Sequence, residues 1–174
     1  MPTRKASLPV NSNDLFLTDG GLETTLVFLQ GFELPYFAAF DLLKDEKGYA
    51  AIKDYYRRYL QIAKNMETNF ILESPTWRAN PDWIEKLGYE KGDLVAVNKK
   101  AIQLLADLKQ EFEIDIPQII ISGCIGPRGD GYIPGNAMTA AEAQAYHAAQ
   151  VNVFAKTEVD LVSAITMNYV EEAI

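Results

Sequence analysis

Ile119-Ile120-Ile121 stand side by side within Gln118–Cys124, a run that is almost continuously apolar. Successive side chains of a strand point to opposite faces, so a strand with one wet face alternates apolar and polar residues. An unbroken apolar run of this length predicts a strand covered on both sides. Shorter strand candidates occur at Leu15–Asp19, Asn69–Glu73 and Asp160–Thr166. Between them, apolar residues recur at spacings of three and four. Tyr49, Ile52, Tyr56 and Leu60 do so within Lys47–Glu67, and Leu94, Val97, Ala101, Leu104 and Leu108 within Lys91–Phe112. That period is helical. Strands joined through helices run parallel, so the pattern predicts an α/β fold with helices packed on a parallel sheet.

The smaller signals fill in this frame. Leu22–Leu29 reads as a short helix stopped by Gly31, and Phe32–Phe40, with Pro35 inside it, as irregular. Pro81–Leu87 reads as a helix with proline in its first turn. Thr139-Ala-Ala-Glu142 is a capping box opening a helix over Thr139–Lys156. Asn168 is the expected cap of a last helix beginning at Tyr169. Residues 1–14 are polar and contain prolines, and read as a flexible lead-in to a domain over residues 15–174. Four βα units occupy the 174 residues, whereas a closed eight-stranded barrel takes ~250. The expectation is a (β/α)8 TIM-barrel type of which about the first four units are present, with a doubly wound sheet as the alternative. The first and fourth strands would then have open edges. Such edges predict a homo-oligomer or completion by further polypeptide.

Composition removes several function classes. Hydrophobic residues make up 48% and charged residues 23%, too apolar for whole-chain disorder. No stretch reaches the ~18 apolar residues of a membrane helix, so no membrane partner is expected. Lys and Arg number 16 against 24 Asp and Glu, a net charge of −8. A nucleic-acid surface needs clustered cations, so that partner is not expected either. Cys124 is the single cysteine and can form neither an internal disulfide nor a Cys-rich zinc site by itself. The residues after Met1 lack the apolar core of a secretory signal. The expected location is the cytoplasm.

In both parallel architectures ligands bind at the carboxyl ends of the strands. That rim collects Asp19-Gly20-Gly21, Glu73-Ser74-Pro75-Thr76-Trp77, Gly123–Arg128 and Thr166-Met167-Asn168. Asp19 can hold a cationic group such as a substrate amine. The bare backbone of Gly20 and Gly21 admits a ligand and offers N–H donors to a carboxylate. A plain turn accounts for the same three residues. Glu73 can bind an amine, or act as a base if its pKa is raised. Pairing with Arg78 or Arg128 is the more ordinary fate. Gly126-Pro127-Arg128-Gly129-Asp130-Gly131 lacks the Lys-Ser/Thr of a phosphate loop. Cys124 reads as a buried small hydrophobe, and His147 as structural or exposed. Tyr55-Tyr56-Arg57-Arg58-Tyr59 reads as helix packing rather than base stacking. No residue is assigned a catalytic role.

These motifs carry a resemblance. Phe16-Leu17-Thr18-Asp19-Gly20-Gly21-Leu22-Glu23-Thr24 resembles the opening strand of homocysteine S-methyltransferases, LDGG(L/M)-x-T. Ser122-Gly123-Cys124-Ile125-Gly126-Pro127-Arg128-Gly129 is similar to that family's GS-(I/V)-GP-x-G turn after strand three. Val159-Asp160-Leu161 and Val170-Glu171-Glu172-Ala173 resemble its betaine-using branch. The resemblance implies a barrel that transfers a methyl group from a small donor to the thiol of homocysteine or a related thiol, as in methionine biosynthesis. It implies zinc in the full-length protein, because a metal-bound thiol ionises at neutral pH. The family's zinc ligands are cysteines on strands six and eight. No metal ligand is therefore expected in this chain, and Cys124 is not one. Asp19 matches the family's binder of the homocysteine amino group, and Gly20 and Gly21 match its backbone contacts. Ile165 stands where the family carries a Glu at the end of strand four, a gap that Glu73 would fill from across the rim. Two other readings remain open: a non-catalytic or self-assembling half-barrel module, and a zinc-free barrel enzyme acting on another small amino acid.

Overall fold

A computed structural model describes residues 8–9, 13–133 and 135–174. The lead-in expected over residues 1–14 lies almost wholly outside the described residues. Four strands, β1 (Phe16–Thr18), β2 (Asn69–Glu73), β3 (Ile119–Ile125) and β4 (Leu161–Ala164), form one sheet. Their order is β1-β2-β3-β4 and every pair is parallel. A doubly wound sheet reverses its strand order at a switch point. Sequential order with crossovers of one hand keeps the helices on one face, so the sheet is of the barrel type. All seven residues of β3 are buried, as its unbroken apolar run predicts. The other strands alternate or are partly exposed, β4 in place of the longer Asp160–Thr166 expected. Burial at every position thus falls on β3 alone, and the interior strand β2 is fully buried only at Phe70 and Leu72.

The long helices form where the periodicity puts them. Helix α2 spans Glu46–Asn65, and the Asp45 side chain caps it by accepting from Gly48 N at 2.8 Å. Helix α4 spans Asp93–Phe112, and α5 spans Ala140–Phe154 behind the complete Thr139–Glu142 capping box. Their apolar faces meet the sheet in one core that includes Ile52, Leu60, Leu104, Phe70, Leu72 and Ile121. Full burial of each such side chain stabilises by about 1.5–3 kcal/mol. Helix α3 (Pro81–Lys86) has proline in its first turn, and Asn80 caps it.

The short segments depart from expectation. Leu22–Leu29 is not one regular helix: an α turn, α1 (Leu22–Thr24), widens into a π turn over Thr25–Leu29. Gly31 follows in the left-handed region that glycine tolerates. In the stretch expected to be irregular, Pro35–Phe37 forms a 3₁₀ turn, and a second, Ala39–Lys44, begins at its end and runs beyond it. Helix α6 (Val170–Ala173) is preceded by Tyr169 at the cap position. Asn168 does not cap it, because the helix starts one residue later than expected, and its amide donates to the Asp130 carbonyl at 2.9 Å. His147 is buried and structural: its Nε2 lies 3.0 Å from Glu172 Oε1, joining α5 to α6.

Gly123 on β3 faces the ring of Phe154 at the end of α5. A Cβ added there would lie 2.7–2.9 Å from that ring. Gly123→Ala is expected to cost about 1–3 kcal/mol through overpacking, read as a lowered urea midpoint.

Candidate active site

At the carboxyl ends of the strands the structure opens a cleft of about 730 Å³. Asp19 and Glu23 come to it from the β1 end, Glu73, Trp77 and Arg78 from the β2 end, and Cys124 from β3. The floor is tied together by main-chain and hydroxyl contacts. The Cys124 amide donates to Ser74 Oγ at 2.8 Å, and the Cys124 carbonyl accepts from Thr76 Oγ1 at 2.7 Å. Gln150 of α5, fully buried, donates to the carbonyls of Thr76 and Cys124.

Asp19 is held by α2. Tyr55 Oη lies 2.9 Å from both Asp19 Oδ2 and the Gly20 carbonyl, so one phenolic proton serves two acceptors. Tyr59 donates to the same Gly20 carbonyl at 2.8 Å. Asp19 Oδ1 is buried with no hydrogen-bond partner among the described residues. Burial pushes the Asp19 carboxyl up to about 6, against the pull of the Tyr55 hydroxyl. Gly21 lines the cleft in a left-handed conformation. Gly20 does not appear on the cleft wall, and its carbonyl is turned to the tyrosines.

Glu73 ends β2 with Oε1 accepting from Ser122 Oγ at 3.0 Å. Ser122 Oγ is in turn 2.7 Å from Ser163 Oγ, so a hydroxyl chain crosses β3 to β4. Burial pushes the Glu73 carboxyl up to about 7, with the Ser122 hydroxyl opposing it and the Asp19 charge adding to it. The expected arginine partner is absent. Arg128 Nε pairs with Asp82 at 2.9 Å. Arg78 Nη1 donates to the Gly129 carbonyl at 2.8 Å instead. Burial also raises the pKa of Glu23, reinforced by Asp19. Three carboxylates with unfavourable ionisation thus face one cleft, an arrangement that favours a cationic guest.

The remaining candidates have structural work. Gly126 and Gly131 leave room for the Trp77 ring, which a Cβ at either position would strike. The Gly126–Gly131 loop is therefore a seat for an indole and not a phosphate cradle. Trp77 Nε1 donates to Thr166 Oγ1 at 3.0 Å, and Thr166 adopts a positive φ of 59°. Cys124 is buried, and burial pushes its thiol well up. Tyr55 and Tyr56 pack as expected of their helix, yet their hydroxyls reach the rim, Tyr56 at the Glu73 carbonyl. Adjacent tyrosines on a buried helical face were the available signal, since a buried phenol seeks a polar partner.

A profile of the homocysteine S-methyltransferase family matches residues 16–174. The chain belongs to the homocysteine S-methyltransferase family. Two solved structures share the family's fold. One is the homocysteine methyltransferase MmuM from Escherichia coli in its metallated form, with a TM-score of 0.72 at 17% identity. The other is the oxidised form of the same enzyme, with a TM-score of 0.74 at 17% identity. Each alignment covers 94% of this chain and 57% of the enzyme, so the chain spans just over half the length of these relatives. No curated protein matches significantly.

The raised carboxyls make stability depend on pH. Between about pH 4.5 and 7 the folded protein holds more protons on Asp19 and Glu73 than the unfolded chain, so stability falls as pH rises across that window. Glu73→Gln removes the share of Glu73. The variant is expected to exceed the parent by roughly 1 kcal/mol at pH 8 and to equal it at pH 4, by urea titration. An equal shift at both values would assign the effect to packing instead.

Proposed function

We propose that this chain belongs to an enzyme that transfers a methyl group to the thiol of homocysteine or a related small thiol. Family membership supports the reaction class. The observation that carries the substrate assignment is the pair Asp19 and Glu73, two desolvated carboxylates on one cleft, with Asp19 Oδ1 lacking any partner. A substrate ammonium bound there supplies the missing cation and hydrogen bonds. Gly21 keeps the backbone low beside it. The step itself forms an S–CH3 bond and breaks the donor's bond to the same carbon. The thiol proton leaves to solvent beforehand, while the ammonium holds Glu73 ionised.

The zinc implied by the resemblance does not fit the residues of this chain. Among the described residues no group of three or more His, Cys, Asp or Glu can hold a metal. The Cys124 thiol, buried and pushed up, resists the ionisation a metal ligand requires. We assign zinc dependence, and a place in cytoplasmic methionine biosynthesis, to the full-length protein, with the ligands outside this chain. A zinc-free enzyme acting on another small amino acid is the second reading. It rests on Ile165, 41% exposed, lining the cleft where the family carries a Glu.

Methyl transfer to homocysteine, measured with the full-length protein and a sulfonium or betaine donor, tests the proposal. Asp19→Asn is expected to lower kcat/KM for homocysteine by about thirtyfold or more, as loss of a buried charge partner does. Full activity in Asp19→Asn would remove the amine from this site.

A further inference from the structure

Arg78 is 5% exposed and lines the cleft, yet it forms no ion pair among the described residues. Its guanidinium carbon sits 3.9 Å from the Trp77 ring centroid and 4.1 Å from that of Trp83. Nη1 is used by the Gly129 carbonyl, and Nε is buried with no hydrogen-bond partner among the described residues. A guanidinium removed from water is ordinarily matched by a carboxylate, because aromatic faces and one carbonyl replace only part of its hydration. Asp130 and Glu23 act on it through space without touching it.

Asp19 Oδ1 is the converse case in the same cleft, an anionic acceptor with nothing bound. One wall therefore holds a buried acceptor without a donor, and another a buried donor without an acceptor. A single ligand with both charges satisfies both. We propose that Arg78 is the carboxylate receptor of this cleft, and that the ligand is a small zwitterion whose cationic centre goes to Asp19 and Glu73. This rests on reading the cleft as the substrate site, and it adds Arg78, a residue that the motifs do not supply. The planar fork of arginine suits a carboxylate, and lysine does not reproduce it. The two indoles hold the plane in advance, so little side-chain freedom is lost when the anion arrives.

The test compares acids with their methyl esters, which keep the ammonium and lose the anion. Affinities of L-methionine, L-norleucine and their methyl esters are measured calorimetrically on the full-length protein, its Arg78→Met variant and its Arg78→Lys variant. In the parent each acid is expected to bind roughly tenfold or more tightly than its ester. Arg78→Met is expected to bring that ratio close to one while leaving ester affinity within about twofold. Arg78→Lys is expected to retain part of the ratio. Equal losses for acid and ester would make Arg78 a clamp for the indoles and overturn the inference. A ratio that survives in Arg78→Met would give the carboxylate to another donor and overturn it too. If Arg78→Met fails to fold, the parent ratio and Arg78→Lys decide, and a parent ratio of one, or no acid binding at all, refutes the idea. Norleucine has no sulfur. An Arg78-dependent ratio without any methyl transfer would sink the methyltransferase reading and leave this one standing. Methyl transfer with a ratio indifferent to Arg78 would do the reverse.

Discussion

The main chain of Cys124 is where the strand ends are fastened to one another. Its amide takes the Ser74 hydroxyl, and its carbonyl takes the Thr76 hydroxyl and the Gln150 amide. Gln150 is fully buried and also reaches Asn98 of α4, so the tie draws in two helices as well as two strands. The Gln150 amide nitrogen makes these contacts while its Oε1 has no partner among the described residues, so the tie rests on donors that reach fixed main-chain carbonyls and set the positions closely. The segment after β2 consequently has little freedom. Glu73, Trp77 and Arg78 leave that segment at set points on the rim, and the cleft inherits its shape from them.

On this rigid floor the charges are kept apart. Asp19, Glu23 and Glu73 stand without cationic partners in contact, while Arg78 is stacked on indoles rather than paired with them. The expected partner Arg128 is diverted to Asp82. Ion pairing within the cleft would stabilise the protein, and its absence leaves the carboxyls with raised pKa values. Unmatched groups of this sort concentrate at binding sites, where a ligand completes them. Tyr55 and Ser122 moderate the cost by donating to Asp19 and Glu73 without neutralising them.

Much of the frame was legible locally. The Ile119-Ile120-Ile121 run, the Thr139–Glu142 box and the three-and-four spacing of α2 and α4 each encode their own structure, because the partners lie within one turn or one strand. The Asp19-Gly20-Gly21 turn and the Gly126–Arg128 turn were legible as motifs. The fate of each was not. Tyr55 lies 36 residues from Asp19, and the Gly129 carbonyl that engages Arg78 lies 51 residues from it. Asn168 looked like a cap because local chemistry permits it, yet the helix starts one residue later and the Asn168 amide reaches a carbonyl 38 residues away. The expected Glu73–arginine pair failed for the same reason: Ser122 and Asp82 were nearer in space to the two partners.

The sequence by itself determined that this chain builds parallel βα units, roughly where the long helices and the central strand lie, and which carboxylates stand at the strand ends. Those properties follow from periodicity and from contacts a few residues long. Only the tertiary structure decided between a doubly wound sheet and a barrel, through the strand order β1-β2-β3-β4. It alone decided that Asp19 and Glu73 line one cleft, and that Arg78 lines it without an ion pair among the described residues. Burial and pairing of charge depend on which segments meet in space, and loop closure brings them together from distances that local pattern does not record.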